Sequence, residues 1–340
     1  MSVTLKDIAQ RVGKSVPTVS RALAGFDDIS PKTREVVQRV AQEMGYEPNI
    51  SAQNLQKQRT DTIALILPSA NVLRFSDPFF SEFLSGIVEQ AAQYNFYLSI
   101  STENSENSRE SYAKYIRNRR FDGFIIVRTR RQDDRINLLQ QHDVPFVAFG
   151  RTDNNNDFPF VDEDGQSGIR QIVDHLVALG HTRIACITEP TFLSKSYHRL
   201  QGFLEGIEAH QLAYDPTLVI ESNFRQRSGR LSALELLNLP TPPTAIVACN
   251  DLLAFGAIAA AQEMGLVVGQ DISITGFDDI MLAEQANPPL TTVHLPAHQM
   301  GSMLAQTLLK LITGEAVVEK QLILEPSIVI RQSTSVPQPR

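Results

Sequence analysis

Polar and aromatic side chains stand just beyond several short apolar runs of this chain. Asp278 follows ITGF, Asn250 and Asp251 follow TAIVAC, Arg151 follows PFVAFG, and Phe224 comes two residues after LVIES. Asp77, Phe79 and Phe80 sit together in DPFF, and Arg199 follows the polar run SKSYH. A carboxylate can accept from two vicinal hydroxyls, and a guanidinium fork can donate to two. An aromatic ring packs well on the C–H face of a sugar. These types fit reversible capture of a small hydroxyl-rich molecule, and Asp278 is the foremost candidate. Each also has a structural reading. Phe79 and Phe80 could staple a core, Asp77 could cap a helix, and Arg199 could sit in a surface salt bridge. One of Asn250 and Asp251 must cap the helix that follows TAIVAC.

Bond-making chemistry finds no foothold. There is no G-x-G-x-x-G, no G-x-x-x-x-G-K-[ST], no nucleophile elbow, no CxxC and no HExxH. The seven His are scattered, and His175 and His181 flank a helix in which a structural role fits better. Cys186 and Cys249 both lie in apolar runs, so neither a disulfide framework nor a zinc site is expected, and a reducing cytoplasm fits. The expectation is a binding protein without metal or cofactor rather than an enzyme.

The elements that must position these residues alternate from about residue 61. TIALIL, FYLSI, GFIIV, PFVAF, RIACIT, TAIVAC and ISITGF are short apolar runs, separated by amphipathic segments such as 81–94, 167–180, 199–209, 251–265 and 300–313. Short apolar strands alternating with helices imply parallel sheets covered on both faces. Some 280 residues of this pattern exceed one usual domain, so two doubly wound α/β lobes are expected. Open sheets of this kind bind ligands outside the carboxyl ends of their strands. The tail QSTSVPQPR is polar and expected to fray. No run of 18 apolar residues occurs, so no membrane span is expected, and MSVTLKDIAQRVGKS lacks the apolar stretch of a secretory signal.

The first 45 residues read differently, as three short helices. Leu5, Ile8, Ala9 and Val12 follow helical spacing after Thr4, with Gly13 as the break. A second helix runs from Ser15 to Gly25, and a third follows Ser30-Pro31 to Gly45. Two helices joined by a short Gly-containing turn form a helix-turn-helix pattern, which places Val16, Pro17, Thr18, Ser20 and Arg21 toward a major groove. Val16 and Pro17 offer apolar contact only, so the operator sequence stays open. Arg21 could read guanine or hold a phosphate. Ser30, Thr33 and Asn49 are candidate phosphate contacts, and Thr4 and Leu5 complete the candidate face. A three-helix docking module for a protein partner is the alternative. Charge favours nucleic acid modestly. Residues 1–60 carry nine Lys/Arg against six Asp/Glu, a net +3, while the remainder carries −10 of the total −7.

TLKDIAQRVGKSVPTVSRALAG, then SPKTREVV, then MGYEPNISAQNL, resembles the headpiece of the lactose-repressor (LacI/GalR) family of bacterial transcriptional regulators. DPFFSEFLSGI, VDEDGQSGI, HLVALGHTRIACI, RLQGFLEGI, ACNDLLAFGA, ITGFDDI and PPLTTVHLP continue the resemblance more loosely to about residue 331. The resemblance implies a helix-turn-helix domain over 1–48, a hinge helix and linker over 49–60, and a type I periplasmic-binding-protein-like core over 61–340. It places one lobe at about 61–162 plus 292–322 and the other at about 163–291 plus 323–331. It further implies that 49–56 forms a helix only on operator, with Ala52 letting paired hinges approach and Leu55 wedging between base steps. The implied function is a cytoplasmic, nucleoid-associated homodimeric repressor of a double-stranded DNA operator. A small effector would bind between the lobes, a sugar by preference, with a purine or nucleoside as the alternative.

Overall fold

The computed structural model describes residues 3–46, 59–68, 76–103, 108–153 and 157–338. The chain divides into two compact units, residues 1–60 and 61–340. The expected hinge residues Asn49, Ala52 and Leu55 lie outside the described residues.

The first unit holds α1 (Leu5–Val12), α2 (Val16–Leu23) and α3 (Pro31–Glu43). Each start is set by local chemistry. The Thr4 backbone N–H and hydroxyl both donate to the Asp7 carboxylate, at 2.8 and 2.7 Å. Those bonds, the hydroxyl's first, hold the Asp7 carboxyl below its ordinary pKa. The Ser15 and Ser30 hydroxyls accept the N–H groups of Thr18 and Thr33, and Pro31 opens α3 where no N–H is needed. Gly13 ends α1 with φ +68°, a left-handed geometry that favours glycine. Ile8, Ala9, Val19, Ala22, Val37, Val40 and Ala41 form the small core.

The second unit contains two parallel sheets. The first lobe's strands are β1 (Thr62–Pro68), β2 (Tyr97–Glu103), β3 (Gly123–Ile126), β4 (Phe146–Phe149), β5 (Phe160–Glu163) and a late return, β11 (Gln321–Leu324). They line up in the order β11-β5-β4-β3-β1-β2. The second lobe's strands are β6 (Ile184–Thr188), β7 (Val219–Glu221), β8 (Ala245–Ala248) and β9 (Ser273–Thr275), in the order β7-β6-β8-β9. Every residue of β3, β6 and β8 is buried, as expected of parallel strands covered on both faces. A short antiparallel pair, β10 (Thr292–His294) with β12 (Ser327–Val329), joins the lobes' late segments.

Helices cover both sheets. They are α4 (Pro78–Gln93), α5 (Ser108–Arg117), α6 (Asp134–Gln141), α7 (Gly165–Ala178), α8 (Ser194–Ala209), α9 (Gln226–Leu237), α10 (Asp251–Glu263), α11 (Met281–Gln285) and α12 (Ala297–Thr313). The two lobes' apolar runs thus follow the expected alternation. Four helices lie outside the amphipathic segments read from the sequence: α5, α6 and α9, which are polar overall with few apolar residues to mark a face, and the short α11. α12 packs tightly on α4 because Gly86 and Gly301 face each other's helix. A Cβ on Gly86 would strike the His298 carbonyl oxygen, and one on Gly301 the Phe83 carbonyl oxygen.

Two expectations need correction. The resemblance places Glu163, Ile323 and Leu324 in the second lobe, but Glu163 ends β5 and the other two belong to β11, Ile323 paired with Asp162 and Leu324 with Glu163 in the first lobe's sheet. The Asp164 N–H donates to the Leu324 carbonyl, so pairing persists to the end of that strand. The tail is not frayed over the described residues. Ser333 is fully buried, its hydroxyl donates to the Ile274 carbonyl, and its own carbonyl accepts the Ile274 N–H. The tail's Ser and Thr therefore serve as hydrogen-bond partners for the open edge of β9, which explains why a polar segment can be ordered. Among the described residues, no helix is long and apolar enough to cross a membrane.

Candidate functional site

A cleft lies between the two lobes. Its first-lobe wall is aromatic. Phe79, Phe80 and Phe83 come from the first turns of α4, and Phe149 from the end of β4. Phe83 and Phe149 lie 4.9 Å apart between ring centroids, and Phe79 lies 6.4 Å from each. Asp77 caps α4 by accepting the Phe79 N–H at 3.1 Å, and it also lines the cleft. For these residues the structural and the ligand readings coexist. The rings belong to the core and present a face to the cleft.

The second-lobe wall is polar, and its groups come from strand ends. Glu189 follows β6, Phe224 follows β7, Asn250 follows β8, Asp278 follows β9, and Lys195 stands on the first turn of α8. Asn250 does two jobs. Its Oδ1 accepts the Leu253 N–H at 2.7 Å, capping α10, and its Nδ2 donates to Glu189 Oε1 at 2.6 Å. Asp251 is buried behind the cleft, accepting from the Thr292 hydroxyl and the Ile280 N–H, and burial drives its carboxyl pKa well up.

Arg199 is not on the cleft surface. It is fully buried, donates through Nε to Glu163 at 2.6 Å and through Nη2 to Asp278 at 3.0 Å, and stacks on the Phe277 ring at 3.7 Å. Its Nη1 also donates to the Cys249 carbonyl. The expected donation to a ligand is thus replaced by donation to two carboxylates, one of which lines the cleft. Arg151 likewise stands behind the lining, with Nε 3.3 Å from Asp162 Oδ2 and 3.5 Å from His198 Nε2.

Burial shapes the charges here. It pushes the Asp278 carboxyl up to about 7 against the pull of Arg199 and Lys195. It does the same to Asp162, again to about 7, against Arg151. Glu189 goes the other way. Burial would raise it, but Lys195, Arg199 and hydrogen bonds from Asn250 and Ser196 outweigh that and hold it below the usual range. The cleft mouth is bridged across the lobes. The Ser194 N–H donates to the Thr129 carbonyl at 3.0 Å, Arg131 stacks on Tyr197 at 3.7 Å, and Arg128 on Phe224 at 4.5 Å. Sequence reasoning missed Phe83, Phe149, Asp162, Glu189 and Lys195. The last three were legible as polar residues at the ends of FVDE and ACIT and within SKSYH.

In the head, Pro17 and Arg21 are exposed on α2 and Thr18 and Ser20 half-exposed, while Val16 and Leu5 pack partly into the small core. Ser30 and Thr33 share a hydroxyl–hydroxyl hydrogen bond of 2.8 Å at the start of α3.

Residues 4–49 match the bacterial regulatory proteins of the lacI family, and residues 173–334 match the periplasmic binding protein-like domain. The regulator CelR of Thermobifida fusca is 34% identical over 332 residues, spanning 97% of this chain and 98% of that protein. The chain belongs to the LacI family. The repressor CytR of Escherichia coli K12 is 32% identical, covering 98% of this LacI-family chain and 96% of its own length. Among solved structures, the CelR–cellobiose complex matches with a TM-score of 0.75 and 33% identity, over 97% of this chain and 99% of that one. The lac repressor dimer bound to operator and the anti-inducer ONPF matches with a TM-score of 0.86 and 30% identity, over 98% and 100%. As a LacI-family member the chain is a DNA-binding transcriptional regulator, with a helix-turn-helix head and a periplasmic-binding-protein-like α/β core.

Proposed function

We propose that the chain is a homodimeric repressor whose affinity for a double-stranded DNA operator is set by a small, hydroxyl-rich sugar in the interlobe cleft. The observation that carries the effector reading is the cleft itself. A wall built of Phe79, Phe80, Phe83 and Phe149 faces Asn250, Asp278 and Glu189 at strand ends of the other lobe and Lys195 at the start of α8. Apolar C–H faces would stack on the rings while hydroxyls bond to the polar wall. Asp77 and Phe224 extend the site at its rim, and Arg151 and Arg199 hold the carboxylates in place from behind. The relative solved with cellobiose supports a sugar over a purine or nucleoside. The chemistry is binding without a catalytic step.

In the head, Pro17, Thr18, Ser20 and Arg21 would face the major groove. Ser30, Thr33 and Thr4 would contact phosphates, with Leu5 and Val16 shaping the surface beneath them. Asn49, Ala52 and Leu55 would form the hinge that folds on operator. Two copies would read a pseudo-palindrome, as the relative solved as a dimer on operator supports. With DNA as its partner, the protein would work in the cytoplasm at the nucleoid. Effector binding shifts operator affinity only by its differential affinity for the two lobe arrangements.

The test is a thermal-shift screen of the purified protein against mono- and disaccharides, sugar phosphates, purines and nucleosides. A sugar that raises the melting temperature, with the rise lost in Asp278→Ala while operator binding persists, supports the reading. A purine hit replaces the sugar. A normal response in Asp278→Ala removes that residue from the site.

A further inference from the structure

We infer that Asp28 is a specificity-determining residue of the DNA-binding head, acting by orienting Arg21 rather than by touching a base. This rests on the proposed reading of Arg21 as a major-groove base contact. The Arg21 Nη2 lies 2.7 Å from Asp28 Oδ2, and the guanidinium carbon stands 5.1 Å from the centroid of the Phe26 ring. Two groups thus hold the guanidinium, a carboxylate at one Nη and an aromatic ring beside it.

The loop that carries both groups is itself tied down. The Phe26 N–H donates to the Arg21 carbonyl at 3.1 Å, and Arg34 of α3 donates to the Phe26 carbonyl at 2.9 Å. The Ile29 N–H closes a turn on that same carbonyl, and the Ile29 side chain packs against the small core. The loop that carries Asp28 is therefore anchored to α2 and to α3.

Such an arrangement has little to offer the fold. The side chains of Arg21 and Asp28 are both 51% exposed, and exposed ion pairs contribute little to stability. For nonspecific DNA binding a carboxylate on this face is a cost, since it repels phosphates. What the pair does supply is a fixed direction for a long side chain that otherwise samples many rotamers. A guanidinium has five N–H donors, and Asp28 occupies only one edge, leaving a second edge to form the paired bonds that single out guanine O6 and N7. Orientation held before binding is the requirement for that two-bond geometry. A phosphate contact, by contrast, tolerates any approach.

The test uses the full-length protein. A preferred duplex is first selected from a random library with the wild-type chain. Affinities for that duplex, for duplexes with each guanine of a half-site replaced, and for unrelated DNA are then measured for wild type, Arg21→Ala, Asp28→Asn and Phe26→Leu. One guanine is expected to carry discrimination on the order of 10- to 100-fold in wild type, and to lose it in Arg21→Ala. In Asp28→Asn the same discrimination should fall by about fivefold or more, while affinity for unrelated DNA stays equal or rises because a negative charge is gone. Phe26→Leu should lower discrimination in the same direction. Melting temperatures of the variants should match wild type, which separates orientation from loss of fold. Undiminished discrimination in Asp28→Asn, or equal gains on specific and unrelated DNA, overturns the role of Asp28. If Arg21→Ala weakens all duplexes alike, Arg21 is a phosphate contact, and the base-reading assignment falls instead.

Discussion

Arg199 on α8 and Asp278 beyond β9 meet at 3.0 Å although 79 residues separate them, and the same guanidinium holds Glu163 at the end of β5. One buried cation therefore ties together both lobes of the core, because Glu163 ends a strand of the first sheet and Asp278 follows the edge strand of the second. Replacing Arg199 by Met should leave the buried Glu163 carboxylate without its cation and Asp278 with only the pull of Lys195. Removing one partner from a buried pair typically costs about 3–5 kcal/mol. Equilibrium denaturation of Arg199→Met should show a loss of that order. A loss below about 1 kcal/mol would mean that the carboxylates accept protons at little cost and that the guanidinium is no strut.

Asp162 yields a pH-dependent prediction whose sign follows from its burial. Its carboxyl titrates at about 7 in the folded chain, above the ordinary 3.8, so the folded state keeps its proton where the unfolded state has lost it. Stability from this group is fully present below about pH 4 and is lost as pH rises to about 7. Asp162→Asn removes that loss. The difference in stability, variant minus wild type, should therefore become more positive between pH 5 and pH 8, with about 4 kcal/mol as its ceiling for a rise of some three pKa units. A difference that falls over the same range would show that the ion pair to Arg151 outweighs burial.

The strand-end logic made part of the cleft legible in the sequence. Asp278 and Asn250 stand where apolar runs stop, and the geometry of parallel sheets directs such positions to one end. Phe149 and Phe83 were hidden for the opposite reason. Each lies inside an apolar pattern that reads as core; Phe83 is core as well as lining, and Phe149 packs half-buried against that core. The deep position of Arg199 depends on partners 36 and 79 residues away, which no local spacing reveals. The strand Phe160–Glu163 escaped because two of its four residues are acidic, and burial of Asp162 and Glu163 is affordable only beside Arg151 and Arg199. The ordered tail escaped similarly, its Ser and Thr looking like solvated residues until the edge of β9 supplied their partners.

Gly86 offers a test of the helix packing behind the aromatic wall. In an ordinary helix interior, Gly→Ala is favourable by roughly 1 kcal/mol. Here the added methyl would meet the His298 carbonyl oxygen of α12, backbone that cannot turn aside. Gly86→Ala should therefore destabilise, by about 1–3 kcal/mol as for other overpacked sites. Denaturant titration gives the sign directly, and a stabilised variant would mean that α4 and α12 can part without cost. Because Phe79, Phe80 and Phe83 begin the same helix, the displaced variant should also show a weaker thermal response to whichever effector binds the wild type.

The division of the chain at Thr60–Asp61 leads to a prediction about independence. The head has its own core of seven buried apolar residues, and the larger unit has its own sheets and clusters. A protein lacking residues 1–58 should fold, keep the thermal response to the effector, and lose operator binding altogether, since the helix-turn-helix and the basic excess go with the deleted segment. Calorimetry with the effector and a DNA gel shift on one preparation test both halves. Operator binding retained by the truncated chain would sink the two-part scheme. Loss of the effector response with the fold intact would show that the head completes the sensor, and the cleft residues assigned here would then be only part of it.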